Sequence, residues 1–129
     1  MQMLFTSKAR KILFIVFAIL ASVVALYHLI GIFYKINESP AWRHAIFFLV
    51  NIICIYGFIK RPKYFILFLS VLLIQQYYSH GIYMVNMWVI QKKIHWISVF
   101  NLIILTLALI CLVDNHRDND KQCVAPAGT

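Results

Sequence analysis

Four apolar segments of about twenty residues each, separated by short polar connections, restrict this chain to one class of structure. They run over residues 12–33, 42–59, 64–86 and 94–113, and none of them contains an aspartate or a glutamate. A helix rising ~1.5 Å per residue covers the ~30 Å of a bilayer's hydrocarbon in ~20 residues. Lipid gives the backbone no hydrogen bonds, so helices are expected, and the strict alternation of a membrane β-barrel is missing. The expected fold is all-α: an antiparallel four-helix transmembrane bundle forming a single domain over residues 1–129, with a short N-terminus and a C-terminal tail.

Composition closes off the alternatives. At 63% hydrophobic and 12% charged residues, the chain lacks the polar surface to enclose a soluble core, and its loops are too short to fold alone. The net charge of +8 raises the question of nucleic acid, but no basic face or RNA-binding motif accompanies it. The charge instead follows the rule that cytoplasmic loops are rich in lysine and arginine. Lys8, Arg10 and Lys11 precede the first segment, Lys60, Arg61 and Lys63 fill the second connection, and Arg117 and Lys121 follow the last; Lys35, Arg43, Lys92 and Lys93 lie on the other side. Both termini are therefore expected in the cytoplasm, with the chain multi-pass in an inner or plasma membrane and its basic rim against anionic lipid.

Smaller signals agree with these boundaries. Trp42, Trp88 and Trp96 fall on the expected outer side, where an indole buries its ring and keeps its N–H among headgroups. Ser39-Pro40 reads as a helix start, with serine as the cap and proline at the first helical position, so the first outer connection is a tight turn around Asn37-Glu38-Ser39. That triplet is formally a glycosylation sequon, but the proline after it and the nearby membrane argue against modification. The first apolar run outlasts the ~7–15 residues of a signal-peptide core and reads as a retained span. Cys54 and Cys111 lie within spans and Cys123 in the tail, with no CxxC pair, which argues against a membrane thiol oxidoreductase.

The candidate site comes from the histidines. His28, His44, His80 and His95 fall one per segment, near the expected outer face, and ionisable groups at such depth usually face a bundle interior or a wet cavity. Helical spacing gathers polar residues beside each one. Ala18, Ala21, Ala25 and His28 make a small-residue stripe on the first helix; His44, Asn51 and Cys54 share a face on the second; Gln76, His80, Tyr83 and Met87 share one on the third; His95, Ser98 and Asn101 share one on the fourth. The two halves also repeat weakly. His28 precedes His44 by about as many residues as His80 precedes His95, and Asn51 and Asn101 follow about two helical turns later.

This constellation points to an outer-leaflet polar cavity that binds a metal, a haem or a small polar ligand. Neutral imidazoles suit zinc or copper, and Met84 and Met87, at helical spacing from His80, would add softer ligands favouring copper. One haem between two histidines is a further expectation, with Ala21, Ala25 and Gly31 leaving room for a macrocycle. With no carboxylate inside a span, calcium, magnesium, carboxylate di-iron and carboxylate-driven antiport chemistry are unsupported. No nucleophile, base and orienting group can be assembled, so the reading leans away from an enzyme. A noncatalytic accessory subunit of a larger membrane complex and a small oligomeric transporter are the competing classes, and the expected partners are membrane lipids with a homo-oligomer or a larger membrane complex.

Overall fold

The computed structural model describes residues 6–36 and 39–124, the last four in backbone only. It contains helices α1 (Ser7–Phe33), α2 (Ala41–Lys60), α3 (Tyr64–Gln91) and α4 (Trp96–Val124), with no strand among the described residues. All four are long and apolar enough to cross a membrane, so the protein is all-α and multi-pass, as the apolar segments require. Two compact units divide the chain, one built on α1 and α2 (Lys8–Pro62) and the other on α3 and α4.

Three helices overrun the apolar segments. α1 begins in the basic run at Ser7, α3 continues past Asn86 through Met87-Trp88-Val89-Ile90 to Gln91, and α4 continues past Val113 into the stretch expected as a tail. No proline or glycine interrupts α4. Its extension is rich in poor helix formers, Asp114, Asn115, His116, Asp118, Asn119 and Asp120, yet is held from the side: the Lys63 ammonium, at the N-cap of α3, donates to Asp120 Oδ1 at 2.7 Å.

The α2 start is displaced by one residue from the expected position. Pro40 is the N-cap in extended conformation, and Ala41 is the first helical residue. Proline supplies a carbonyl there, which accepts from the Arg43 and His44 amides, and it loses no donor that the helix needs. Asn37 and Glu38, the rest of the expected turn and sequon, lie outside the described residues. Arg61 and Lys92 end α2 and α3 in the left-handed conformation, at φ 53° and 52°, with their amides returned to Gly57 and Trp88 carbonyls. Left-handed ends of this kind, each closed by a single bond four residues back, normally favour glycine, and here charged residues occupy them.

Each unit is a hairpin with one apolar seam. On α1 the buried positions Phe14, Phe17, Ala21 and Ala25 follow spacings of three and four, with Gly31 six residues further on, while Ile15, Ile19, Val23 and Leu26 form an exposed stripe suited to lipid. Phe17 meets Phe58 of α2 at 5.5 Å between ring centroids, and the Arg61 guanidinium lies 5.2 Å over Phe14. These contacts set the antiparallel register of α1 on α2. Between α3 and α4 the Lys63–Asp120 ion pair holds one end, and Tyr77 donates to the Thr106 hydroxyl at 3.0 Å near the middle. Thr106 must be the acceptor, since its own proton goes to the Leu102 carbonyl at 2.7 Å. Ser22 and Ser70 likewise bond carbonyls four residues back, so their hydroxyls are satisfied without water.

Candidate functional site

The α1–α2 hairpin closes on two histidines. His28, one turn before Gly31 on α1, and His44, in the first turn of α2, meet Nδ1 to Nδ1 at 2.9 Å. Their ring centroids are 5.2 Å apart, the separation that results when two imidazoles point nitrogen to nitrogen, so the contact is head-on. Phe47 stacks on His28 at 5.3 Å and 20°, and Tyr27 presents its ring at a steep angle to both histidines. His44 is 3% exposed because its ring lies on Gly31. A Cβ built at that glycine would stand 2.6–2.7 Å from the His44 Nδ1, Cε1 and Cγ atoms. Glycine is required at this point by close approach, while its backbone is ordinary helix.

The α3–α4 hairpin closes on a longer network. His95 precedes α4, and its Nδ1 accepts from the Ser98 amide at 3.3 Å, as an N-cap side chain does. Ser98, fully buried, brings its Oγ to 2.7 Å from His95 Nδ1 and to 2.7 Å from His80 Nδ1. On the far side of the His80 ring, Asn101 Nδ2 is 3.3 Å from Nε2, and the same amide donates to Gln76 Oε1 at 3.2 Å. Gln76 in turn donates to Gln75 at 2.7 Å.

Donor and acceptor counting orders the protons in this network. The Ser98 amide can only donate, so His95 Nδ1 carries a lone pair and receives the single hydroxyl proton of Ser98. Ser98 Oγ is then left to accept from His80 Nδ1–H, and the Asn101 amide donates to the unprotonated Nε2 of His80. Both rings are neutral in this arrangement, with opposite tautomers set by their partners. Tyr83 packs edge-on to His95 at 4.9 Å.

Several expected relationships change. The structure pairs His28 with His44 and His80 with His95 inside separate hairpins, and among the described residues no three His, Cys, Asp or Glu side chains are grouped to hold a metal ion. Two imidazoles spanning a haem iron stand about 4 Å apart, twice a metal–imidazole bond of ~2.0–2.1 Å, with the macrocycle between them. The 2.9 Å His28–His44 contact leaves no such gap, and the space expected beside Gly31 is filled by the His44 ring. Met84 and Met87 are half-buried on α3, and both nitrogens of His80 are already engaged by Ser98 and Asn101. Asn51 bonds the Phe47 carbonyl of its own helix at 2.7 Å, whereas Asn101 joins the histidine network. The two halves therefore share their paired histidines and differ in what surrounds them.

Height differs too. α3 continues eleven residues beyond His80, about 16 Å, while α4 begins only two residues before Ser98. Residues 92–95 descend along that overhang, so Trp88 and Trp96 stand roughly two turns apart in height instead of marking one boundary. Three residues carry structural weight that the sequence reading missed or misjudged. Gly31 seats His44, and Asp114 and His116, both buried, lie on the part of α4 read as a tail. A glycine three residues after a histidine on a small-residue stripe was the available signal for the first.

No protein family, curated protein or solved structure matches this chain.

Proposed function

We propose that this chain is a small multi-pass membrane protein whose working parts are the histidine-bearing ends of its two hairpins, each a polar site in the outer half of its spans that takes up protons or a small polar ligand. The observation that carries this reading is the joining of His28 to His44 and of His80 to His95 through Ser98, each within one hairpin of apolar helices. Polar groups of this kind are costly in hydrocarbon and mark functional positions in membrane helices. Orientation follows from charge: Lys63 and Arg61 lie at the opposite ends of the hairpins, and lysine- and arginine-rich ends stay in the cytoplasm. The ligand fits the chemistry of hydrogen-bonding imidazole and amide groups better than that of a haem or a carboxylate-bound cation, because the imidazoles already face one another or neutral donors.

Two measurements on the full chain test this. A cysteine replacing Gln91, in a variant whose native cysteines are substituted, should react with an impermeant maleimide from outside intact cells. In lipid nanodiscs, a water-soluble paramagnetic chelate should broaden the histidine ring resonances. Labelling of Gln91 only from the cytoplasmic side, or rings protected from the chelate, would remove the outer-site reading.

A further inference from the structure

The His28–His44 contact identifies its own occupant. Two nitrogens of the same type at 2.9 Å attract only when one bears a proton and the other a lone pair, and a head-on approach leaves space for one proton on the axis. Chelation of a metal would require both lone pairs to turn toward a common third point, which the head-on alignment does not provide. We propose that His28 and His44 share a single proton along the Nδ1···Nδ1 axis, and that this proton latches the connected ends of α1 and α2. The proposal deepens the functional reading above by naming the proton as the ligand of this pair.

Protonation states can be followed by counting. In the neutral pair one ring donates through Nδ1–H and the other accepts at Nδ1. A hydronium ion that gives up one proton to an off-axis nitrogen leaves the axial bond in place, now between an imidazolium and an imidazole, and such charge-assisted bonds are shorter and stronger. A second proton has to occupy the remaining axial lone pair. Two N–H groups then face each other, the bond is lost, and two like charges stand in contact.

The surroundings of the pair are aromatic and cationic. Neither α1 nor α2 contains a carboxylate. The groups facing the pair on these two helices include the Tyr27 ring, the Phe47 ring stacked on His28, and Arg43, which precedes His44 and holds its guanidinium 5.8 Å over Phe47. Loss of the axial bond also frees the His44 ring from its seat on Gly31, where three of its atoms occupy the position of a would-be Cβ. One protonation step therefore tightens the hairpin, and the next releases it.

Solid-state NMR of the full-length chain, ¹⁵N-labelled at histidine and reconstituted in lipid, reads the axis directly. We expect a scalar coupling between the His28 and His44 Nδ1 nuclei that is present at neutral pH, survives the first protonation and disappears when both rings are cationic. Gly31→Ala should abolish it with helix content retained, and Gly81→Ala, where an added Cβ meets open space, should preserve it. Absence of the coupling at every pH in a folded protein would overturn the shared proton, and so would its persistence after both rings are doubly protonated. Retention of the coupling in Gly31→Ala would overturn the latch. Coupling in rings that the paramagnetic chelate cannot reach would leave the shared proton standing and remove only the outer-site reading.

Discussion

Gly31→Ala is the sharpest perturbation of this molecule because one methyl group tests how α1 and α2 meet. Ordinary carbon contacts lie at ~3.5–4.0 Å, so a Cβ at 2.6–2.7 Å from the His44 ring is about 1 Å too close. Rotating the imidazole does not relieve the overlap, since Cγ, at the base of the ring, is among the atoms struck. The ring is also buried and tied to His28, so either the helices separate or the Nδ1···Nδ1 bond breaks. Overpacking of this kind costs ~1–3 kcal/mol. Alanine recovers at most ~1 kcal/mol of helix propensity. Gly81→Ala is the control, because the added Cβ meets nothing within 4 Å and should stabilise by ~0.5–1 kcal/mol. Reversible unfolding in mixed detergent micelles, followed by helix content, should separate the two alanine variants by ~1–3 kcal/mol, the overpacking cost alone, because the propensity gain is common to both. In a His44→Ala background the Gly31→Ala penalty should vanish, as a double-mutant cycle requires when the clash is with that ring. Equal stability of the two single variants would refute the seat, as would a Gly31→Ala penalty that survives removal of His44.

The other hairpin offers two further tests. Ser98→Ala removes the hydroxyl that bonds both His80 Nδ1 and His95 Nδ1, while His95 Nδ1 keeps the backbone amide of residue 98; the expected loss is ~1–3 kcal/mol in the same unfolding assay, with the His80 Nδ1–H resonance shifting most. Lys63→Ala should cost less than ~1 kcal/mol, because the Lys63–Asp120 pair is exposed, and the cost should shrink in high salt while the last turns of α4 exchange their amide protons faster.

The number and type of the elements were legible because lipid leaves an apolar segment of this length one way to satisfy its backbone. Element ends were less so. The last turns of α4 contain Asp114, Asn115 and Asp118, which by propensity favour a tail, and the contact at Asp120 comes from Lys63, distant in sequence. The pairing of the histidines was not legible: the sequence sets all four around one cavity, whereas the contacts join His28 to His44 and His80 to His95, each within one hairpin. Three residues after His44 stands Phe47, which stacks on His28; three residues after His95 stands Ser98, which bridges both rings by hydrogen bonds. That one difference changes the role of the asparagines. Asn51 folds back on its own helix, and Asn101 reaches His80. Gly31 was readable as empty space, yet whether a glycine leaves a void or admits a neighbour depends on the opposite helix, which periodicity on one strand of sequence does not describe.

α4 is fastened to α3 at both ends, by Ser98 at His80 and by Asp120 at Lys63, across 22 residues or about 33 Å. With no proline or glycine between those points, the helix has no hinge in which to dissipate a displacement. It behaves as a stiff push-rod. A shift of the Ser98 hydroxyl along the axis would reach Asp120 through the helix backbone, and a twist would change the angle at which the Asp120 carboxylate meets the lysine. Events at the histidine end are therefore readable from the charged end, by a reporter that never enters the hydrocarbon.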